Sequence, residues 1–354
     1  MTLDILFGYL QTNKRVIRAG IMITRMFNEE TLASSNFNGR KIAYAKTDFY
    51  VDGKDLLFGL NDSLEFLKTV PSKSVKLVVT SPPYNIGKVY EERVKLGEYL
   101  DYQGKVAREC VRILTDDGNL AWEVGNYVYN KEIFPLDYFF YRIFKEDNGM
   151  KMRNRIIWRI GHGLHASLRF SGRYETISWY TKSDDYTFNL DAVRVPQKYP
   201  GKTHYRGANY GKPSGNPLGK NPEDVWDIIL QDWESEMWEI PNVKSNHPEY
   251  TGHPAQFPTE LVQRLILALT NENDTVLDPY GGVGSSAIAA LLLGRKAISI
   301  ERDEGYTDKA LQRVKEMLDG TLKIRRIGTK VYVPTGKEKV SKIPESWLNN
   351  ESNK

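Results

Sequence analysis

The sequence predicts an α/β protein of the Rossmann-like kind, an open, mostly parallel sheet with helices packed on it, and three observations carry that reading. Residues 275–301, TVLDPYGGVGSSAIAALLLGRKAISIE, run from an apolar strand through a glycine turn and a small-residue helix into a second strand ending in an acid. Residues 75–80 form an apolar run that breaks into the polar and aromatic turn Ser81-Pro82-Pro83-Tyr84-Asn85. Elsewhere strand-like and helix-like stretches alternate, the order that builds such sheets. Open sheets place their chemistry beyond the carboxyl ends of strands, where both turns fall.

Taken in order, residues 1–45 read as an extension outside the main fold, either an amphipathic contact element or a partly disordered arm. Leu3, Ile5, Leu6, Phe7 and Leu10 precede the cationic Lys14, Arg15 and Arg18, the reverse of a secretory signal. Residues 46–190 are the first half of the main domain. Within them, KDLLFGLNDSLEFLKTV gives a strand, a turn at Asn61-Asp62 and a short helix. GEYLDYQGKVAREC places a helix after the double-proline turn, and LAWEVGN, NRIIWRI and ETISWYTKS supply strands.

Residues 191–237 differ in composition. From Arg194 to Lys220 the chain is rich in Gly, Pro, Asn and Tyr, carries Arg194, Lys198, Lys202, Arg206, Lys212 and Lys220, and has no acid. Loops of that length are functional or disordered. Basic residues interleaved with Tyr199, Tyr205 and Tyr210 suit phosphates and bases, the other reading being a solvated linker. An acidic segment, Glu223 to Glu239, follows. Residues 238–320 form the second half, in which His253-Pro254-Ala255-Gln256-Phe257-Pro258 leads into the helix TELVQRLILALT, with proline at a helix start. Residues 321–354 are a tail, and no repeat has solenoid spacing.

At 354 residues the chain can bury one large α/β core plus a smaller inserted or appended region. Its net charge of +4 is mild, so a nucleic-acid partner must be argued from where charge lies. The single Cys110 forms no internal disulfide and no Cys/His cluster has zinc spacing, so a reducing, cytoplasmic setting and a metal-free mechanism are expected. No stretch is apolar enough to span a bilayer.

Two consecutive prolines fix φ and hold the Ser81 hydroxyl, the Pro82 carbonyl and the Tyr84 ring, with Pro83 between them, in one rigid array. The hydroxyl and the carbonyl can accept hydrogen bonds from an exocyclic amino group while the ring stacks on a base. In the later turn, Glu301 lies twenty positions after Gly281, near the spacing at which a carboxylate reaches ribose hydroxyls. The pattern Gly281-Gly282-Val283-Gly284 lacks pyrophosphate-binding spacing and argues against a nicotinamide cofactor.

The order of Ser-Pro-Pro-Tyr, basic loop, HPAQFP and DPYGGVG resembles the amino-methylating DNA methyltransferases of the circularly permuted beta group, over roughly residues 50–315. The resemblance implies S-adenosylmethionine as cofactor, with Asp278, Tyr280, Gly282 and Gly284 shaping its methionine side, Glu301 on the ribose and Asp62 on the adenine edge. Phe257 stands where the family often has a basic residue, and Thr259 and Glu260 would border the pocket. Ser81, Pro82, Pro83 and Tyr84 would be catalytic, and Arg194, Lys198, Lys202 and Arg206 would meet double-stranded DNA in a target-recognition region. Base flipping and direct methyl transfer would follow, with no cysteine nucleophile. Serine at the first motif position resembles the cytosine-modifying members more than the adenine-modifying ones. A separate restriction endonuclease and a homodimer are the further implied partners. A nicotinamide-dependent oxidoreductase and a non-catalytic nucleic-acid-binding protein are the readings from other classes.

Overall fold

The computed structural model describes residues 34–37, 40–88, 91–160, 166–197, 199–226, 240, 242–244, 247–327 and 329. Among them ten strands make one sheet. The first are β1 (Ser34–Phe37), β2 (Arg40–Thr47) and β3 (Leu56–Leu60), followed by helix α1 (Ser63–Leu67) and β4 (Val75–Thr80). Helix α2 (Leu96–Ile113) then runs directly into β5 (Leu114–Val124). A separate hairpin of β6 (Asn126–Tyr129) and β7 (Glu132–Pro135) leads to α3 (Leu136–Tyr141). The sheet resumes with β8 (Lys151–Arg159), β9 (Tyr174–Thr181) and the short β10 (Val225–Trp226). Last come α4 (Thr259–Leu269), β11 (Thr275–Asp278), α5 (Ser285–Leu292), β12 (Lys296–Glu301) and α6 (Glu304–Leu318).

Across the sheet the order is β1-β2-β3-β12-β11-β4-β5-β9-β8-β10, parallel from β2 through β5. β9 runs antiparallel to both β5 and β8. The neighbours β11 and β4 send their connections in opposite directions, β11 through α5 to β12 and β4 through α2 to β5. Such a reversal opens a crevice beyond the carboxyl ends of the two strands.

Alternation along the strands divides the core between the two faces. Leu56, Phe58, Leu77 and Val79 pack with α4, α5 and α6 on one face. Leu57, Val78, Ile298 and Ile300 pack with α1, α2 and α3 on the other. Within β4 all six residues are buried, as a strand covered on both faces requires.

The structure adds detail to three of the expected segments. The limit at residue 45 lies inside β2, whose pairing with β3 makes residues 40–47 part of the sheet. The segment from Arg194 to Lys220 is folded where it is described, Val195 bridging Lys220 and Thr203 bridging Pro213, and β10 just after it joins the sheet beside β8. Arg325, placed in the tail, is buried and ion-paired with Glu260. Residues 1–33, Lys198, 227–239 and 330–354 lie outside the described residues, and with them most of the expected extension, acidic segment and tail.

Candidate active site

A cavity of about 620 Å³ sits at the reversal point, reached by the ends of β3, β4, β11 and β12. Ser81, Pro82, Pro83 and Tyr84 line one side, Asp278, Tyr280, Gly282 and Glu301 the other, and Asp62 and Phe257 complete the wall. Two motifs some two hundred residues apart therefore meet across one space.

The joint between them is a hydrogen-bonded carboxylate. Asp278 at the end of β11 accepts from Thr80 Oγ1 at 2.6 Å, from Ser286 Oγ at 2.5 Å and from the Tyr280 amide at 3.0 Å. Burial pushes its pKa up, and these three donors pull it back. It thus anchors β4 to β11 at the crevice floor.

The glycine turn divides its labour. Gly282 has a φ of +51°, and a Cβ there would point toward the His253 ring at 3.5 Å, on the cavity side. Gly284 does not line the cavity: at φ +77° its missing Cβ would stand 2.9 Å from the Ala310 Cβ, so its role is close packing of α5 on α6. Glu301 accepts the Gly282 amide at 3.0 Å and the Asp303 amide at 2.8 Å, while burial raises its pKa. A carboxylate held by backbone donors at a glycine turn retains acceptor lone pairs for vicinal hydroxyls.

Asp62 is in the wall, but its carboxylate is also a helix cap. Oδ1 accepts from the Leu64 and Glu65 amides at 2.9 and 3.3 Å, and Oδ2 accepts from the Tyr102 hydroxyl at 2.6 Å. Thr259 and Glu260 do not border the cavity. The hydroxyl and amide of Thr259 donate to the buried Glu249 at 2.6 and 3.1 Å, and Glu260 pairs with Arg325 and Arg264. Helix α4 is capped by Pro258 and its first turn, Thr259 and Glu260, is buried away from the cavity, whereas Phe257 just before it lines the wall.

The loop after β4 is pinned. The Asn85 side chain accepts the Val94 amide and donates to the Val94 carbonyl, both at 2.8 Å, at a φ of +59°. Glu91 accepts the amides of Asn85 and Ile86 at 2.8 Å, and Tyr99 donates to the Pro83 carbonyl at 2.8 Å. Above this frame the Ser81 hydroxyl lies 3.1 Å from the Tyr84 hydroxyl, which donates to Glu123 at 2.7 Å. Glu123 is 2% exposed and interacts with Glu175 on the neighbouring strand. Burial, then Glu175, pushes the Glu123 pKa well up; burial raises that of Glu175, which Lys88 and Lys244 pull back. The chain Ser81, Tyr84, Glu123, Glu175 thus leads from the cavity to a pair of carboxyls, Glu123 buried and Glu175 half-buried. Neither glutamate was singled out in the sequence, where the legible signal is an acid inside the apolar strand LAWEV.

His253, Tyr102, Gln103 and Tyr306 are further wall residues that sequence reasoning left unassigned. The His253 ring meets Tyr306 edge-on at 4.5 Å, and burial lowers its pKa to about 4, so it is neutral near pH 7. Gln103 accepts the Tyr280 hydroxyl at 2.9 Å. Cys110 is buried in α2 and takes no part in the cavity.

Of the expected DNA contacts, Lys198 lies outside the described residues. Arg194 is drawn inward, bonded to Asp191 at 2.6 Å and to the Gly219 carbonyl at 3.0 Å. Lys202 and Arg206 are exposed, and Arg206 stacks over the Tyr205 ring at 5.4 Å. Tyr199, Tyr205 and Tyr210 are 65, 71 and 73% exposed, so the segment shows solvent aromatic as well as basic surface.

Fold and cavity define an open α/β protein with a nucleoside-sized crevice at its reversal point. The chain belongs to the DNA methylase family, whose model for N6 and N4 enzymes matches residues 75–312. It is 46% identical over 252 residues to the Type II methyltransferase M.BglII of Bacillus subtilis, covering 71% of this chain and 66% of that one. It is 32% identical over 275 residues to the DNA adenine methyltransferase YhdJ of Escherichia coli K12, covering 76% of this chain and 85% of YhdJ. Among solved structures it is similar to a DNA modification methylase of Thermus thermophilus complexed with S-adenosyl-L-methionine. That match has a TM-score of 0.52 and 25% identity, over 75% of this chain and 96% of the other. The expected family and fold class therefore stand. Among the described residues no helix is long and apolar enough to cross a membrane.

Proposed function

We propose that the protein is a site-specific methyltransferase acting on the exocyclic amino group of cytosine flipped out of duplex DNA, with S-adenosylmethionine as methyl donor, in a restriction-modification setting and in the cytoplasm. One observation carries this reading: the Ser81 to Tyr84 array and the Asp278 to Gly282 turn face each other across a single cavity. The donor fits the second wall, where Gly282 has no side chain to obstruct a ligand backbone and Glu301 offers acceptors for ribose hydroxyls. Asp62, Tyr280 and Phe257 would complete that half. The donor, when bound, supplies an electrophilic methyl group.

The remaining steps belong to the chain. Ser81 and the Pro82 carbonyl accept the two amino hydrogens and aim the nitrogen, while Tyr84 stacks on the base; fixing both reactants in this way makes the reaction effectively unimolecular. Ser81 is hydrogen-bonded to Tyr84 and through it to Glu123, a path along which the proton shed by the amino group can leave. Adenine is the second reading, favoured by the likeness to YhdJ. Both bases offer an amino donor and a stacking face, and what supports cytosine is the serine at the first motif position, Ser81, which resembles the cytosine-modifying members. The test is incubation with labelled S-adenosylmethionine and duplex DNA, followed by mass spectrometry of the nucleosides. Labelled N4-methylcytosine is expected; N6-methyladenine alone would replace cytosine by adenine, and unlabelled DNA would remove the enzyme reading.

A further inference from the structure

The connection from β8 to β9 rises at the same edge of the sheet as the candidate active site. Val124 at the end of β5 pairs with Thr176 near the start of β9, and Tyr174 pairs with Arg159 at the end of β8. A Cβ on Gly125 would come within 3.1 Å of the Tyr84 ring and 3.6 Å of Glu175 Cγ, so Glu175 and Tyr84 flank one stretch of backbone. Phe170 is five residues before Glu175. At about 3.6 Å per extended residue it stands within roughly 18 Å of Glu175, which itself flanks Tyr84.

What this connection presents is unusual for a protein surface. Leu168 is 81% exposed and Phe170 98% exposed, and Arg169 between them is also exposed. Where the connection leaves the sheet, the Ile160 amide donates to the Arg173 carbonyl at 2.8 Å. No acid occurs between Asp147 and Glu175, a span in which Lys151, Arg153 and Arg155 are engaged with Asp184 and Asp137. An exposed phenyl ring beside a guanidinium, in a stretch without negative charge, is complementary to a polyanion with stacked rings. Side chains of this kind enter duplexes as wedges while neighbouring cations hold the phosphates.

We propose that Leu168, Arg169 and Phe170 form a wedge that enters duplex DNA beside the target, Phe170 filling the stack where the base has left and Arg169 contacting a flanking phosphate. The inference rests on the reading that the site methylates a base flipped from duplex DNA, and it assigns the connection a task separate from methyl transfer. A wedge lowers the cost of extrusion, so its loss matters most when the target is fully paired.

The experiment compares the full-length parent and Phe170→Ala on two duplexes, using the target found by modified-base sequencing. In one the target is paired; in the other it faces an abasic site. Single-turnover methyl transfer by the variant is expected to fall about tenfold or more on the paired duplex and to stay within about twofold of the parent on the abasic one. Phe170→Trp should keep the parent rate on both. Arg169→Gln should lower the salt slope of binding by about 0.9, the share of one phosphate contact. Equal rates for parent and Phe170→Ala on the paired duplex overturn the wedge, as does an equal loss on both duplexes. A parent that methylates neither duplex overturns the functional reading itself, a result the variant arms cannot mimic.

Discussion

Tyr84 carries two separable duties, a ring facing the cavity and a hydroxyl committed to Glu123. Tyr84→Ala removes both, and losing one stacked base contact costs about 1 to 3 kcal/mol, so turnover should fall by about 5- to 150-fold with little change in donor affinity. Tyr84→Phe keeps the ring, and a variant retaining base binding but losing turnover would assign the deficit to the hydroxyl. Single-turnover rates and titration of DNA and donor check both. The carboxyl pair behind Tyr84 makes a second prediction, for stability. Carboxyls whose pKa is raised on folding bind more protons in the folded than in the unfolded protein, so stability is fully present below the ordinary carboxylate range and is lost as pH climbs. Glu175→Gln removes one member, and its melting temperature relative to the parent should rise as pH climbs above the ordinary carboxylate range; a constant difference would show that the pair does not share a raised titration. The Ser81 to Tyr84 array was legible because proline constrains its neighbours locally. Glu123 and Glu175 were not, because their partnership depends on antiparallel β5 and β9 lying side by side, a long-range pairing that no local pattern announces.

At the scale of elements, the strand-turn-helix of β11 and α5 was readable from glycine spacing, yet its glycines divide between ligand and packing. Gly282→Val inserts a branched side chain at positive φ on the cavity wall, and donor binding should be lost while the melting temperature drops modestly. Gly284→Ala puts a methyl 2.9 Å from Ala310 at a φ of +77°. Left-handed backbone costs about 1 to 2 kcal/mol and overpacking about 1 to 3 kcal/mol more, so this variant should melt several degrees lower. Donor binding per folded molecule should be unchanged. Calorimetry on both variants separates the roles, and equal donor loss in the two would return Gly284 to the site. Helix α4 shows why Thr259 was misplaced. The helix start was visible from Pro258, but which side of its first turn meets the ligand is set by Glu249, which captures Thr259 from a segment ten residues earlier.

Over the whole molecule, the sheet order explains why two distant motifs form one site: β4 and β11 are neighbours although some two hundred residues separate them. The alternation of strands and helices made the class of fold legible, whereas the edge strand β1 and most of its neighbour β2 were hidden in what read as an extension. The basic region was legible by composition alone, and composition does not say which charges are spent internally. Arg194 is spent on Asp191 and the Gly219 carbonyl, while Lys202 and Arg206 are exposed. Each phosphate contact contributes about 0.9 to the slope of log affinity against log salt. Lys202→Gln with Arg206→Gln should therefore flatten the slope by about 1.8, and Arg194→Gln should leave it nearly unchanged while lowering thermal stability. Binding isotherms at several salt concentrations decide the matter. An unchanged slope in the double variant would move the DNA contact away from this region and leave the β8–β9 connection, at the edge where the base must enter, as the principal basic surface for the strand.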